Sequence, residues 1–150
     1  MKKSITCIMA GIIWGILIFS PITTKAAEQE AYELTIEDAQ LLMRVGQAEA
    51  GDQGEDGIFL IMCVVLNRVD SDRWPNTIRE AVYQEHQFAT PADLDDVCVD
   101  CHLALARIEM GERIPGIIGF ENKRSNILDS YFDRAFEEGD HRFYTVKTKR

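Results

Sequence analysis

The stretch Gly57-Ile58-Phe59-Leu60-Ile61-Met62-Cys63-Val64-Val65-Leu66-Asn67-Arg68-Val69 decides the fold. No polar residue interrupts it between Ile58 and Leu66, so periodicity alone cannot separate a buried helix from a buried strand. Its length points to a central helix, and so does the polar pair Asn67-Arg68 that follows without a turn signal. Upstream, Thr35 offers a capping hydroxyl and Asp38 lies three residues on. Ile36, Ala39, Leu42, Met43 and Gly46 then recur at helical spacing, and Gly51 is a natural stop, which predicts a helix over Ile36–Ala50. Downstream, residues 70–76 form a loop carrying Trp74-Pro75. Thr77-Ile78-Arg79-Glu80 is a capping box that opens a short helix through Tyr83. A further helix is expected over Asp93–Met110, closed by Gly111. Residues 116–120 and 142–146 read as short strands. The expected fold class is α+β, mostly helical, a single domain with a small β-sheet late in the chain.

The chain has 150 residues, enough for one compact domain. Lys2 and Lys3 precede an apolar run from Ile5 to Phe19, then Ser20-Pro21 and Thr24-Lys25-Ala26. This is the layout of a secretory signal peptide cleaved after Ala26, with an uncleaved membrane anchor as the other reading. The run is short for a span and Pro21 breaks it, which favours cleavage. Residues 27–34 form a polar leader, and residues 35–150 the functional domain. The expected location is secreted, in the cell envelope, with no stable membrane insertion after cleavage. Residues 1–26 hold Lys2, Lys3, Lys25 and no acid, so losing those three charges takes the net charge from -9 to -12. So acidic a domain lacks the cations that displace counterions from nucleic acid, and no nucleic-acid partner is expected. It is expected to act as a monomer.

Glu49 is the sharpest catalytic candidate. It lies in Gly46-Gln47-Ala48-Glu49-Ala50-Gly51, in the last turn of the first predicted helix. The negative end of a helix dipole disfavours a charged carboxylate, and partial burial acts the same way. A retained proton suits a general acid in glycoside cleavage, where the leaving oxygen must be protonated. Small neighbours leave room for a sugar. On composition alone, the alternative is a solvated surface glutamate.

Several motifs in order carry a resemblance: Ala48-Glu49-Ala50, a spacer ending in Gly57, the apolar run, Val65-Leu66-Asn67-Arg68-Val69, and Trp74-Pro75-Asn76-Thr77-Ile78. Val82-Tyr83-Gln84, Gln87-Phe88, Phe120-Glu121-Asn122 and Gly139-Asp140-His141-Arg142-Phe143-Tyr144 continue it. Together, over about residues 38–145, the chain resembles the spore cortex-lytic cell wall hydrolases of SleB/CwlJ type. The resemblance implies a lysozyme-like or lytic-transglycosylase-like domain, with Glu49 at the catalytic glutamate. It implies a peptidoglycan substrate of alternating N-acetylglucosamine and N-acetylmuramic acid, and no cofactor or metal. In members that act as lytic transglycosylases, one glutamate protonates the glycosidic oxygen and then accepts the C6 hydroxyl proton as a 1,6-anhydro ring closes. One departure stands out: where the family commonly continues Arg-Gly-Glu, this chain has Gly51-Asp52-Gln53. A second acidic position is therefore an amide.

Against that background Gln87, Phe88, Asn122, His141 and Tyr144 are candidate substrate-binding residues, since glycan grooves mix aromatic and amide groups. A lone histidine is more often structural, and His141 is weighed with that in mind. Asn67 reads as a backbone-bonding residue and Trp74 as a packing plug. Two rival functions remain at this stage. One is a peptidoglycan-binding domain that lost activity with the change at Gln53. The other is a c-type haem protein, from Cys98-Val99-Asp100-Cys101-His102. The short C-x-x-C-H pattern lies in an amphipathic helical segment, where Cys101 and His102 would point apart, and a local disulfide between Cys98 and Cys101 is a third possibility. Cys63, inside the apolar run, reads as a small core residue.

Overall fold

The computed structural model describes residues 33–148. The expected signal segment and residues 27–32 of the polar leader lie outside the described residues. Four helices precede a three-stranded sheet: α1 (Ile36–Ala50), α2 (Gly54–Val69), α3 (Ile78–Tyr83), α4 (Val99–Glu109), β1 (Ile117–Asn122), β2 (Phe132–Glu138) and β3 (His141–Val146). The expectation of a mostly helical α+β domain holds.

The ambiguous apolar run is a helix, and its surroundings explain why it has no polar face. Ile58, Ile61, Met62, Cys63, Val64, Val65 and Leu66 of α2 have no solvent exposure at all. A helix that is apolar all round is one wrapped on every side. Here α1, α3, α4 and β1 do the wrapping. Gly46 lets α1 come close: a Cβ at that position would stand 2.9 Å from Ile58 Cγ2. The caps read from sequence are made, with Thr35 Oγ1 accepting from Asp38 N–H at 3.1 Å and Thr77 Oγ1 from Glu80 N–H at 3.2 Å. Cys63 is a core residue, its thiol pushed up to about 11 by burial.

Two boundaries differ from expectation. The central helix begins at Gly54, three residues early, and carries Glu55 and Asp56 in its first turn, where the helix dipole favours acids. The expected helix over Asp93–Met110 is broken instead. A single 3-10 turn, Leu94–Asp96, precedes α4, and Cys98 in extended geometry caps the helix. Its N–H is taken by Gln47 Oε1 of α1 at 2.9 Å, a tertiary bond that fixes where α4 starts.

The sheet is antiparallel in the order β1-β3-β2. β2 is an addition to the sequence reading. Its pattern Phe-Asp-Arg-Ala-Phe-Glu-Glu is charged and nearly all exposed, as an edge strand with a solvated face should be. Asn67 ties the helices to the sheet: its Nδ2 donates to the carbonyls of Ile114 and Ile117, each at 2.8 Å.

A polar cluster closes the far side of the sheet. Glu121 accepts from Ser125 Oγ at 2.6 Å, from Ile127 N–H at 3.1 Å and from the Tyr144 hydroxyl. Asp129 pairs with Arg134. Partial burial pushes the Glu121 carboxyl up, but the hydrogen bonds from Ser125, Tyr144 and two backbone amides outweigh it, and the net shift is downward. Asp129 is held down at about 2, chiefly by Arg134. Both groups have folded values below their ordinary 4.5 and 3.8. Their contribution is therefore complete above those ordinary values and is lost as pH falls through the folded ones. The melting temperature should decline as pH drops from about 4.5 toward about 2, and Asp129→Asn should flatten part of that decline. Thermal melts across that range check this; an equally steep decline in the variant would remove Asp129 from the account.

Candidate active site

Glu49 is half-buried in the last turn of α1, and with Gln47, Ala48, Gly51 and Asp52 it lines an open groove of about 560 Å³. The segment after α3 runs across this turn and is strapped to it. Ala92 N–H donates to the Arg44 carbonyl at 3.1 Å, and Arg44 Nε donates back to the Ala92 carbonyl at 2.6 Å. Ala89 N–H donates to Glu49 Oε1. One carboxyl oxygen is thereby oriented by backbone, and Oε2 takes no hydrogen bond among the described residues.

Beneath that segment lies Arg68, which sequence reading had not marked as a site residue. It is only 6 % exposed. Its Nε donates to the Ile118 carbonyl at 2.7 Å, and its guanidinium lies 4.7 Å from the Phe88 ring centroid and 5.9 Å from that of Trp74. Nη1 is buried with no hydrogen-bond partner. Burial lowers the Arg68 pKa to about 10, with the Glu49 charge acting in the opposite direction, so the guanidinium stays charged at neutral pH. The signal was there to be read: a cation closing a run of buried residues must find partners.

The other candidates divide. Phe88 lies 6.0 Å from Phe120, and Phe120 meets His141 edge-on at 5.2 Å. Through Ala89 this aromatic row joins Glu49. His141 is half-buried and its Nδ1 has no hydrogen-bond partner. Burial lowers its pKa, against the opposing pull of Glu49, Asp52 and Asp140, so the ring is neutral at neutral pH. Asn122 is exposed and pairs with His141 across β1 and β3, and its Oδ1 accepts from Arg124 N–H at 3.0 Å. Gln87 is half-buried beside Phe88, its N–H donated to the Gln84 carbonyl at 3.2 Å. Tyr144 stands apart. It is fully buried, its hydroxyl donates to Glu121 and lies 3.0 Å from Asp129 Oδ1, and strand alternation turns it to the face opposite His141 and Phe143. Its side chain is engaged with the polar cluster and does not join the aromatic row beside Glu49.

Gln53 also has a scaffold's surroundings. Its Oε1 accepts from Asp140 N–H at 2.7 Å and its Nε2 donates to Asp52 Oδ1 at 2.8 Å. It pins the turn between β2 and β3 onto the α1–α2 connection, and it is not among the residues lining the groove. The C-x-x-C-H segment does not offer one open face for a haem, because Cys101 is fully buried while His102 is exposed. No cluster of three or more His, Cys, Asp or Glu side chains among the described residues is arranged to hold a metal ion.

The fold and groove define a small, mostly helical α+β domain with one half-buried carboxyl at the end of its first helix. The profile of the cell wall hydrolase family matches residues 52–144, and the chain belongs to that family. Glu49 lies just upstream of the matched segment. Among solved structures, the chain is similar to the catalytic domain of the Bacillus cereus SleB protein, with 18% identity and a TM-score of 0.63, over 81% of this chain and 99% of that one. It is equally similar to the catalytic domain of the germination-specific lytic transglycosylase SleB from Bacillus anthracis, with 18% identity and a TM-score of 0.63, over 75% of this chain and 97% of that one. At that identity the likeness speaks for the fold. Comparison with curated protein sequences finds no match.

Arg68→Lys keeps the charge but loses the planar group stacked on Phe88 and the Nε bond to Ile118. Leaving that carbonyl unpaired should cost about 1–3 kcal/mol. Urea denaturation measures this, and a loss below about 0.5 kcal/mol would show that the buried guanidinium does not hold the segment over Glu49.

Proposed function

We propose that this domain cleaves the glycan strands of peptidoglycan as a lytic transglycosylase, with Glu49 as its single acid and base. The observation that carries the proposal is the carboxyl at the groove, with Oε1 held by the Ala89 amide and Oε2 left for the substrate. In this reading Glu49 protonates the oxygen leaving the N-acetylmuramic acid carbon. The resulting carboxylate, stabilised by the Arg68 charge, then takes the proton of the C6 hydroxyl as that oxygen closes onto C1. Proton and bond accounts balance without water, metal or a second carboxylate. Gln87, Phe88, Asn122 and His141 are proposed to flank the bound strand, with neutral His141 and the amides serving the acetamido groups.

The rival reading, a domain that binds wall without cutting it, rested on Gln53. Gln53 does not itself line the groove, and its amide is spent on Asp140 and Asp52, which favours a chemistry that needs no second carboxylate at that position.

Glu49→Gln keeps shape and removes the titrating proton. Wall lysis should fall by at least about 10²–10⁴-fold. The melting temperature should stay close to wild type, since an amide oxygen can still accept from Ala89. Lysis within a few-fold of wild type would assign the chemistry to another residue.

We also propose that the protein is exported, with residues 1–26 removed. No helix among the described residues is long and apolar enough to cross a membrane. N-terminal sequencing of protein recovered from the wall or medium should begin at Ala27. Recovery only in membranes with Met1 intact would overturn this.

A further inference from the structure

Cys98 and Cys101 take no part in the chemistry assigned to Glu49, yet they are arranged as a pair. Cys98 caps α4 and Cys101 sits in its first turn, with the two Sγ atoms 3.6 Å apart. A disulfide needs about 2.03–2.05 Å, a closure of about 1.5 Å that rotation of the two side chains can supply. Their exposure is unequal. Cys98 is half-exposed and Cys101 has none. A second, independent feature marks the pair as built. Gln47 Oε1 accepts both the Cys98 N–H at 2.9 Å and the Cys101 thiol at 3.4 Å. Gln47 lies two residues before Glu49, lines the same groove, and covers Gly51 so closely that a Cβ there would meet Nε2 at 2.2 Å. Burial, then the neighbouring Cys98, push the Cys101 thiol up to about 12, so at neutral pH it is a thiol.

We propose that Cys98 and Cys101 form a thiol–disulfide exchange site that takes a small organic disulfide and closes to an intramolecular bridge against Gln47. The Cys98 thiolate attacks one sulfur of the external disulfide. A Cys98–S–S–R bond forms, and the first RS⁻ leaves with the electron pair and is protonated by solvent. Cys101 Sγ attacks Cys98 Sγ and expels the second RS⁻, and the Cys101 proton ends on that thiolate, so that RSH leaves. Both cysteines are oxidised and the external disulfide is reduced to two thiols. Closure removes the Cys101 S–H donor from Gln47 and leaves only the Cys98 amide on it, so the redox state of α4 is felt by a residue of the groove. The pair is accessible from one side only, through Cys98, and that asymmetry is what an experiment can read.

The test uses the full chain equilibrated with oxidised and reduced glutathione at graded ratios, quenched, alkylated under denaturing conditions and digested with trypsin. Glu80–Arg107 carries both cysteines in one peptide. It should pass from doubly alkylated to unlabelled and lighter by two hydrogens, without an accumulating glutathione adduct. Cys101→Ser should instead trap glutathione on Cys98, and Cys98→Ser should take up little on the buried Cys101. Three results would each overturn the proposal: a peptide doubly alkylated at every ratio, a stable adduct in the wild type, or equal adducts in the two variants. The wild-type arm stands even if a serine variant folds poorly.

Discussion

Arg68 sits where a helix with no exposed face runs out of apolar sequence, and much of the site follows from housing it. A guanidinium cannot be left in a core without partners. Here the Ile118 carbonyl takes Nε, and the rings of Phe88 and Trp74 lie within cation–π range of it. Each partner comes from a different part of the chain, so one buried cation fixes the relative places of β1, the Trp74 loop and the segment through Phe88. Asn67, one residue earlier, does the same for the approach to β1 through two carbonyls. The Phe88 segment then delivers the Ala89 amide to Glu49. Positioning of the carboxyl is thus a consequence of packing around α2 as well as of the turn that bears it.

This arrangement accounts for a departure from the family pattern. An acidic side chain at position 53 could accept the Asp140 amide as Gln53 does, but it could not donate to Asp52, and its charge would face the Asp52 carboxylate. With an amide there, Asp52 is paired and the β2–β3 turn is held at Gly139, whose φ of 52° and close contact with Gln53 Oε1 suit glycine. The substitution therefore bears on how the sheet docks, and the chemistry proposed for the groove draws on no carboxylate but Glu49.

Much of this was legible in the sequence, for identifiable reasons. The caps at Thr35 and Thr77, the end of α1 and the buried character of α2 are local signals, and each is made as read. What local reading missed depended on distant partners. The start of α4 is set by Gln47 from another helix, and β2 is a charged edge strand whose pairing with β3 leaves no apolar pattern. Among the site candidates, the motif order placed Glu49, Phe88 and His141 close together. Tyr144 belongs to the same motif, but strand alternation turns it to the polar cluster of Glu121 and Asp129, which residue type alone does not disclose. Arg68 lay in the quoted motif unremarked, because a basic residue at a helix end ordinarily reads as solvated.

The measurement that bears most directly on single-carboxylate cleavage is mass spectrometry of the fragments released from purified wall in water enriched in oxygen-18. The account predicts muramic ends one water lighter than reducing ends and free of the heavy isotope, because the C6 oxygen closes the ring. Reducing ends carrying oxygen-18 would contradict it, since they require an activated water.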